Sequence, residues 1–276
     1  MTTDSINEWR ETAKYWVKHS GTIRTMFAPV TRALIEKTGI REGQSVLDVA
    51  GGAGEPSLTI AQTVGPNGSV TCTDAVGEMV AAAEEEARRQ SLTNVTFRQC
   101  TADSLPFAEN SFDAVVSRLG AMFFPDPLAA MRELLRVTKP GGALGLVVWH
   151  ERQLNPFCYI VSGVIDQHVS PPAEDPDAPS AFRFAEHGKL ARVLVEAGAR
   201  DVEDSEIQFD IAAPITPHEF WTMRSQTSDS LRTKLKHLPE DEQLQVGSEV
   251  EQGVAEFFPA NQMKFPARMI LVTAIK

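Results

Sequence analysis

The 276-residue sequence lacks the features that would commit it to a membrane, to nucleic acid or to an oxidising compartment. It contains no run of about 18 apolar residues, the length that spans a bilayer. Its opening residues, MTTDSINEWRETAKYW, are polar and of mixed charge. Neither a membrane span nor a signal peptide is therefore expected, and the protein reads as cytoplasmic. Basic clusters are missing too: Lys and Arg number 26 against 37 Asp and Glu, a formal charge of −11. The densest basic stretch, Lys234-Leu235-Lys236-His237, is followed by Pro239-Glu240-Asp241-Glu242. A phosphate backbone is held by a basic face, so no nucleic-acid partner is expected. The three cysteines, Cys72, Cys100 and Cys158, form no CxxC, so neither a disulfide framework nor a zinc site is expected.

Residues 20–148 also lack every Trp, Tyr and His of the chain. What that stretch contains is a regular alternation. From about residue 45, short β-branched runs alternate with helical patterns, the mark of βαβ units and a parallel sheet. Strands are expected at Ser45–Val49, Ser69–Thr73, Val95–Arg98, Ala114–Ser117 and Ala143–Trp149. Helices are expected near Pro56–Val64, Met79–Gln90 and Leu128–Val137, with Lys139-Pro140-Gly141-Gly142 as the turn that ends the last of them. After a Pro/Asp-rich stretch at 170–179, a helix (His187–Ala197), a strand (Val202–Ile211), helical residues 216–260 and a closing strand (Phe265–Ile275) are expected. The expectation is one domain over 1–276. Its parts are an N-terminal helical lid (1–40), a cofactor-binding core (41–149), a cap insertion (150–185) and a C-terminal part of the sheet (186–276) carrying the insertion 216–260.

The strongest local signal is Val46-Leu47-Asp48-Val49-Ala50-Gly51-Gly52-Ala53-Gly54. Small residues between a buried strand and a helix let the backbone turn tightly and approach a ligand. Twenty residues past Gly54 comes Asp74, where a carboxylate can accept from the hydroxyls of an adenosine ribose. A dinucleotide reading stays open, with Gly52-x-Gly54-x-x-Ser57 in place of GxGxxG. Asp48, just before the glycines, suits a ligand with an ammonium and a sulfonium better than a pyrophosphate.

Residues 44–149 resemble the class I S-adenosylmethionine-dependent methyltransferases, specifically the ubiquinone/menaquinone-biosynthesis C-methyltransferase group and its small-molecule relatives. The likeness lies in the glycine motif, in Leu105-Pro106-Phe107 with Ser111-Phe112-Asp113, and in Arg136-Val137-Thr138-Lys139-Pro140-Gly141-Gly142. The resemblance implies an α/β, Rossmann-like fold with a seven-stranded, mostly parallel sheet in order 3-2-1-4-5-7-6, the last strand antiparallel, with helical lid insertions. It implies S-adenosyl-L-methionine as cofactor, with Asp48, Ala50, Gly51, Gly52, Gly54, Asp74, Ala75, Met79, Thr101, Ala102, Asp103, Arg118 and Tyr15 as contacts. Thr101 stands where the family usually has Asp or Asn, and Ala53 where it commonly has Thr, so two polar contacts are weaker or gone.

Helical additions carry Trp9, Tyr15, Trp16, Met26, Phe27, Phe157, Tyr159, Phe220, Trp221 and Met223, which suits an apolar, aromatic small-molecule acceptor. Arg118 leaves strand four, and His150 follows strand five at the ligand edge; these two are the expected catalytic residues, with His150 the base. Tyr15 and His19 are other base candidates. Since side chains alternate along a strand, only one of Trp149 and His150 can face the pocket. No metal-ligand cluster is visible. The function expected is methyl transfer to carbon, oxygen or sulfur of a hydrophobic molecule. The alternatives are a nicotinamide dinucleotide oxidoreductase, or a protein of this fold that acts on or binds a protein partner.

Overall fold

A computed structural model describes residues 3–169 and 175–276. Helix α1 (Thr3–Lys37) leads into β1 (Ser45–Val49), α2 (Ser57–Val64), β2 (Ser69–Asp74), α3 (Gly77–Arg89) and β3 (Val95–Gln99). Next come β4 (Phe112–Arg118), α4 (Pro127–Val137), β5 (Thr138–Trp149), α5 (Pro156–His168) and α6 (Lys189–Ala197). Strand β6 (Arg200–Ala213), helices α7 (Pro217–Thr227), α8 (Asp229–Leu235) and α9 (Glu240–Gly253), and β7 (Met263–Ile275) complete the chain.

The seven strands form one sheet in the order β3-β2-β1-β4-β5-β7-β6. Neighbours from β3 to β5 run parallel, while β7 is antiparallel to both β5 and β6. The apolar runs of β1, β4 and β5 are continuous because helices cover both faces; Val46, Leu47, Val115, Val116, Val147 and Val148 are fully buried. Edge strand β6 instead alternates exposed and covered positions over most of its length. Strand order reverses between β1 and β4, where Asp48 lies opposite Val116. Such a switch point leaves a crevice at the carboxyl ends of the strands.

One expectation about organisation needs correction. Lys139-Pro140-Gly141-Gly142 is no loop but the start of β5, with a register shift where Phe112 pairs Thr138 and Ala114 pairs Ala143. Gly141 takes φ +75°, and the C-terminal Lys276 hydrogen-bonds Gly141 and Gly142, so an irregular strand is kept in the sheet. In the expected N-terminal lid segment the described chain forms one long helix, α1. Its later turns bury Val30 and Leu34 in the main core, and only its earlier turns reach over the crevice. Part of the Pro/Asp-rich stretch, 170–174, lies outside the described residues.

Local signals hold the helices that flank the crevice. Asp126 caps α4 by accepting from Ala129 N–H at 2.9 Å, with Pro127 opening the first turn. Thr216 and Glu219 form a capping box at α7, which fixes where that helix starts over the crevice. Among the described residues no helix is long and apolar enough to cross a membrane.

Candidate active site

The glycine loop is held from below by two carboxylates. After β1 the chain turns through Ala50 (φ 59°) and Gly52 (φ 55°). Gly51 N–H donates to Thr73 C=O at 2.8 Å, and Gly52 N–H donates to Asp74 Oδ2 at 3.0 Å. The other Asp74 oxygen accepts Val76 N–H at 2.9 Å, so this carboxylate ties the glycine loop to the turn after β2. Burial pushes the Asp74 pKa up, against the pull of these backbone donors. A Cβ added at Gly52 would meet nothing within 4 Å, so the loop leaves open space there for a ligand. One added at Gly51 would lie 2.7 Å from Asp48 Oδ2, which shows how closely the loop sits on that side chain.

Asp48 is fully buried beneath the loop. Its Oδ2 accepts from Ser57 N–H (3.0 Å) and Oγ–H (2.6 Å), while Oδ1 has no partner. Burial pushes its pKa up to about 7, although Ser57 and the Arg118 guanidinium pull the other way. Arg118 is buried beside it, donating to Thr31 Oγ1 (2.7 Å) and to Glu55 C=O (3.3 Å) and lying 5.7 Å from the Phe27 ring centre. It joins α1, β4 and the end of the glycine loop.

Above the loop lies a cavity of about 950 Å³. One end is lined by Ala50, Gly51, Gly52, Asp74, Ala75, Met79, Thr101, Ala102 and Asp103, nine of the thirteen expected cofactor contacts. Arg118 lines it as well. Trp9 and Trp16 of α1 pack on Val76 and Met79 at this end, and Trp16 Nε1 is buried without a partner. The other end is aromatic. Trp149 stacks on Phe157 (6.1 Å, 16°) and meets Phe27 edge-on (6.0 Å, 79°), and Met26, Met223 and Arg224 complete this part of the wall.

Four expected site residues do not line the cavity. Asp48 and Gly54 lie below it; a Cβ at Gly54 would be 3.0 Å from Leu58, so this glycine serves the packing of α2. Tyr15 lies instead near Lys14 and Arg232. The most consequential is His150. Trp149 lines the cavity, and His150 packs edge-to-face on His187, 4.7 Å between ring centres. Its Nδ1 accepts Glu151 N–H at 2.7 Å, so the neutral ring carries its proton on Nε2 and offers no base there. The cause is the strand itself: β5 runs through Trp149, and alternation turns the next side chain away. His19 is likewise engaged, with Gln226 Oε1 at 2.9 Å.

His150, His187 and Glu206 offer potential metal-ligating atoms within 4.8 Å of one another. Glu206 Oε1 is already taken by Arg268 (3.1 Å) and Gln208 (2.9 Å). Sequence reasoning missed Glu55 and Arg224 as lining residues. Glu55 directly follows the glycine motif and could have been named from that; nothing local marks Arg224.

The geometry agrees with what the chain is similar to. Residues 47–146 match the family model described as methyltransferase domain. The ubiquinone/menaquinone biosynthesis C-methyltransferase UbiE of Shewanella sediminis is 30% identical over 192 residues, covering 66% of this chain and 76% of that protein. The chain belongs to the class I S-adenosylmethionine-dependent methyltransferases, in their UbiE-like group.

Other relatives of this methyltransferase-family chain match over a shorter stretch. An uncharacterised Mycobacterium tuberculosis protein is 40% identical over 45% of this chain and 44% of its own length. The UbiE protein of Hahella chejuensis is 39% identical over 46% and 51%. The chain thus spans about half the length of most of these curated relatives. Among solved structures, the YcgJ protein of Bacillus subtilis superposes with a TM-score of 0.57 at 24% identity, over 89% of this chain and 97% of that one. The [4+2]-cyclase SpnF does so with a TM-score of 0.51 at 24% identity, over 90% and 80%. These two likenesses speak to the fold alone.

Proposed function

We propose that the protein transfers the methyl group of S-adenosyl-L-methionine to a carbon, oxygen or sulfur of an apolar, aromatic small molecule. The observation that carries this reading is that one cavity joins the glycine loop and Asp74 to the aromatic wall of Trp149 and Phe157. The residues present fit the cofactor. Gly52 leaves room where a side chain would intrude, and Trp16 Nε1, on the cavity wall, is a buried polar atom without a partner. Asp74 keeps lone pairs for ribose hydroxyls, and Thr101, Ala102 and Asp103 line the same end of the cavity, where they would meet the adenine. Bound there, the cofactor supplies an already activated methyl on a sulfonium.

The protein's own work is then positioning and the exclusion of water. Trp149 and Phe157, with Phe27 edge-on beside them and Met26, offer an apolar, aromatic wall against which an aromatic acceptor would pack. Arg118 holds α1, the glycine loop and β4 in one arrangement at the junction of the two ends. A phenol, quinol or thiol acceptor gives up a proton, and the carboxylates of Glu55 and Glu151 line the cavity to receive it. Burial raises the Glu55 pKa, which suits it to hold a proton.

The dinucleotide reading is disfavoured by Asp48, whose carboxylate sits under the glycines where a pyrophosphate would gather negative charge. Incubation with methyl-labelled S-adenosylmethionine and a panel of phenols, quinols and thiols tests the proposal. Label in an organic-soluble product is expected. Tight cofactor binding without transfer to any of them would favour a binding role, and the fold also occurs in the [4+2]-cyclase SpnF.

A further inference from the structure

The acceptor end of the cavity holds a cation that the proposed transfer leaves unused. Arg224, on α7, lines the cavity with its guanidinium 4.6 Å from the centre of the Phe157 ring. Its Nε is buried without a hydrogen-bond partner, and among the described residues the one titratable group that acts on its charge is the Cys158 thiol. Other arginines of the cavity are compensated. Arg118 feels Glu55 and Asp48, and Arg183 feels Asp177, Asp175 and Asp126. Burying a charge with no counter-charge is unfavourable, and such a cost persists where a ligand supplies the missing partner.

The surroundings say what kind of ligand. Arg224 covers Phe157, Phe157 stacks on Trp149, Trp149 meets Phe27, and Phe27 lies under Arg118. An unbroken aromatic surface therefore runs from the junction with the glycine loop to a free guanidinium. A guanidinium offers a planar fork of donors that matches a carboxylate with two parallel hydrogen bonds. Stacking on a ring leaves the edge of that fork available.

We propose that Arg224 anchors a carboxylate of the methyl acceptor, so that the substrate is an apolar, ring-bearing acid laid along Trp149 and Phe157. This rests on reading the cavity as a methyl-transfer site, and the acid would sit with its ring toward the glycine loop.

The test uses the whole protein, with and without saturating S-adenosylhomocysteine. Calorimetry compares benzoate, 2-naphthoate and octanoate with the primary amide of each skeleton. At least one aromatic acid is expected to bind tenfold or more tighter than its amide, with octanoate the weakest acid. Arg224→Met should erase that preference and Arg224→Lys should keep part of it, while both leave the S-adenosylhomocysteine affinity within twofold. No preference for any acid, or a preference that survives in Arg224→Met, would overturn the proposal. A second readout needs no ligand: Arg224→Met should melt higher than the wild type, because an uncompensated charge is gone. A lower melting temperature would make Arg224 a structural residue and overturn the assignment. Failure of the wild type to bind S-adenosylhomocysteine would break the methyl-transfer reading instead, and the acid–amide comparison without it still reads Arg224 separately.

Discussion

The two ends of the cavity are built in different ways. The cofactor end comes mainly from one stretch of chain, residues 50–103, with Trp9 and Trp16 of α1 packed against it, and consists largely of backbone and small side chains at the carboxyl ends of β1, β2 and β3. The acceptor end is assembled from α1, β5, α5 and α7, and consists of large side chains: Phe27, Trp149, Phe157 and Arg224. A backbone-built site depends on conformations that few residues can adopt, such as φ 55° at Gly52. A site built of side chains can be re-formed without touching the sheet. One end should therefore be intolerant of change, and the other tunable.

The largest expected effect is at the loop. Gly52→Val should abolish measurable S-adenosylhomocysteine binding by calorimetry, because its branched side chain enters the space left for the ligand. The left-handed backbone would also cost about 1–2 kcal/mol of stability, read by urea unfolding. Normal binding by this variant would move the ligand away from the loop and dissolve the contrast.

A second effect is pH-dependent and belongs to the cofactor end alone. Burial lifts the Asp48 pKa from 3.8 to about 7. Below about pH 4 the carboxyl is protonated in folded and unfolded chains alike. Between pH 4 and 7 only the unfolded chain gives up the proton, so folding stability falls as pH rises, by an amount on the order of 4 kcal/mol, and levels off above 7. Asp48→Asn keeps an oxygen for Ser57 and should flatten that slope in urea unfolding between pH 4 and 8, without lower stability than wild type at pH 8. Identical slopes in the two proteins would mean that Asp48 ionises at no cost.

This contrast also explains what could be read from the residues. The strands and the glycine loop were legible because hydrophobic runs, turns and small residues report on their immediate neighbours, and Ser45–Val49 forms β1 as expected; the order of the strands is long-range and came only with the family resemblance. Lys139–Gly142 misled because a Pro-Gly-Gly run is ordinarily a turn, whereas here the C-terminal Lys276 pairs with it and keeps it in the sheet. At Trp149 and His150 alternation dictated that one side chain face the pocket, but not which. The aromatic wall was visible only as a list of residues in the flanks. Which of them meet is decided by the packing of α1, α5 and α7, and no local pattern marks Arg224 as lying over Phe157.

The most direct test of a cavity with two separate ends is one calorimetric and kinetic series on wild type, Asp74→Ala and Phe157→Leu. Asp74→Ala should weaken S-adenosylhomocysteine by about 1.5–3 kcal/mol, the loss of charged hydrogen bonds at the ribose. Phe157→Leu should leave that affinity within about twofold and lower methyl transfer on the order of tenfold, since it loosens the acceptor's position alone. Equal loss of cofactor affinity in both variants, or in neither, would contradict the division of the cavity into a cofactor end and an acceptor end.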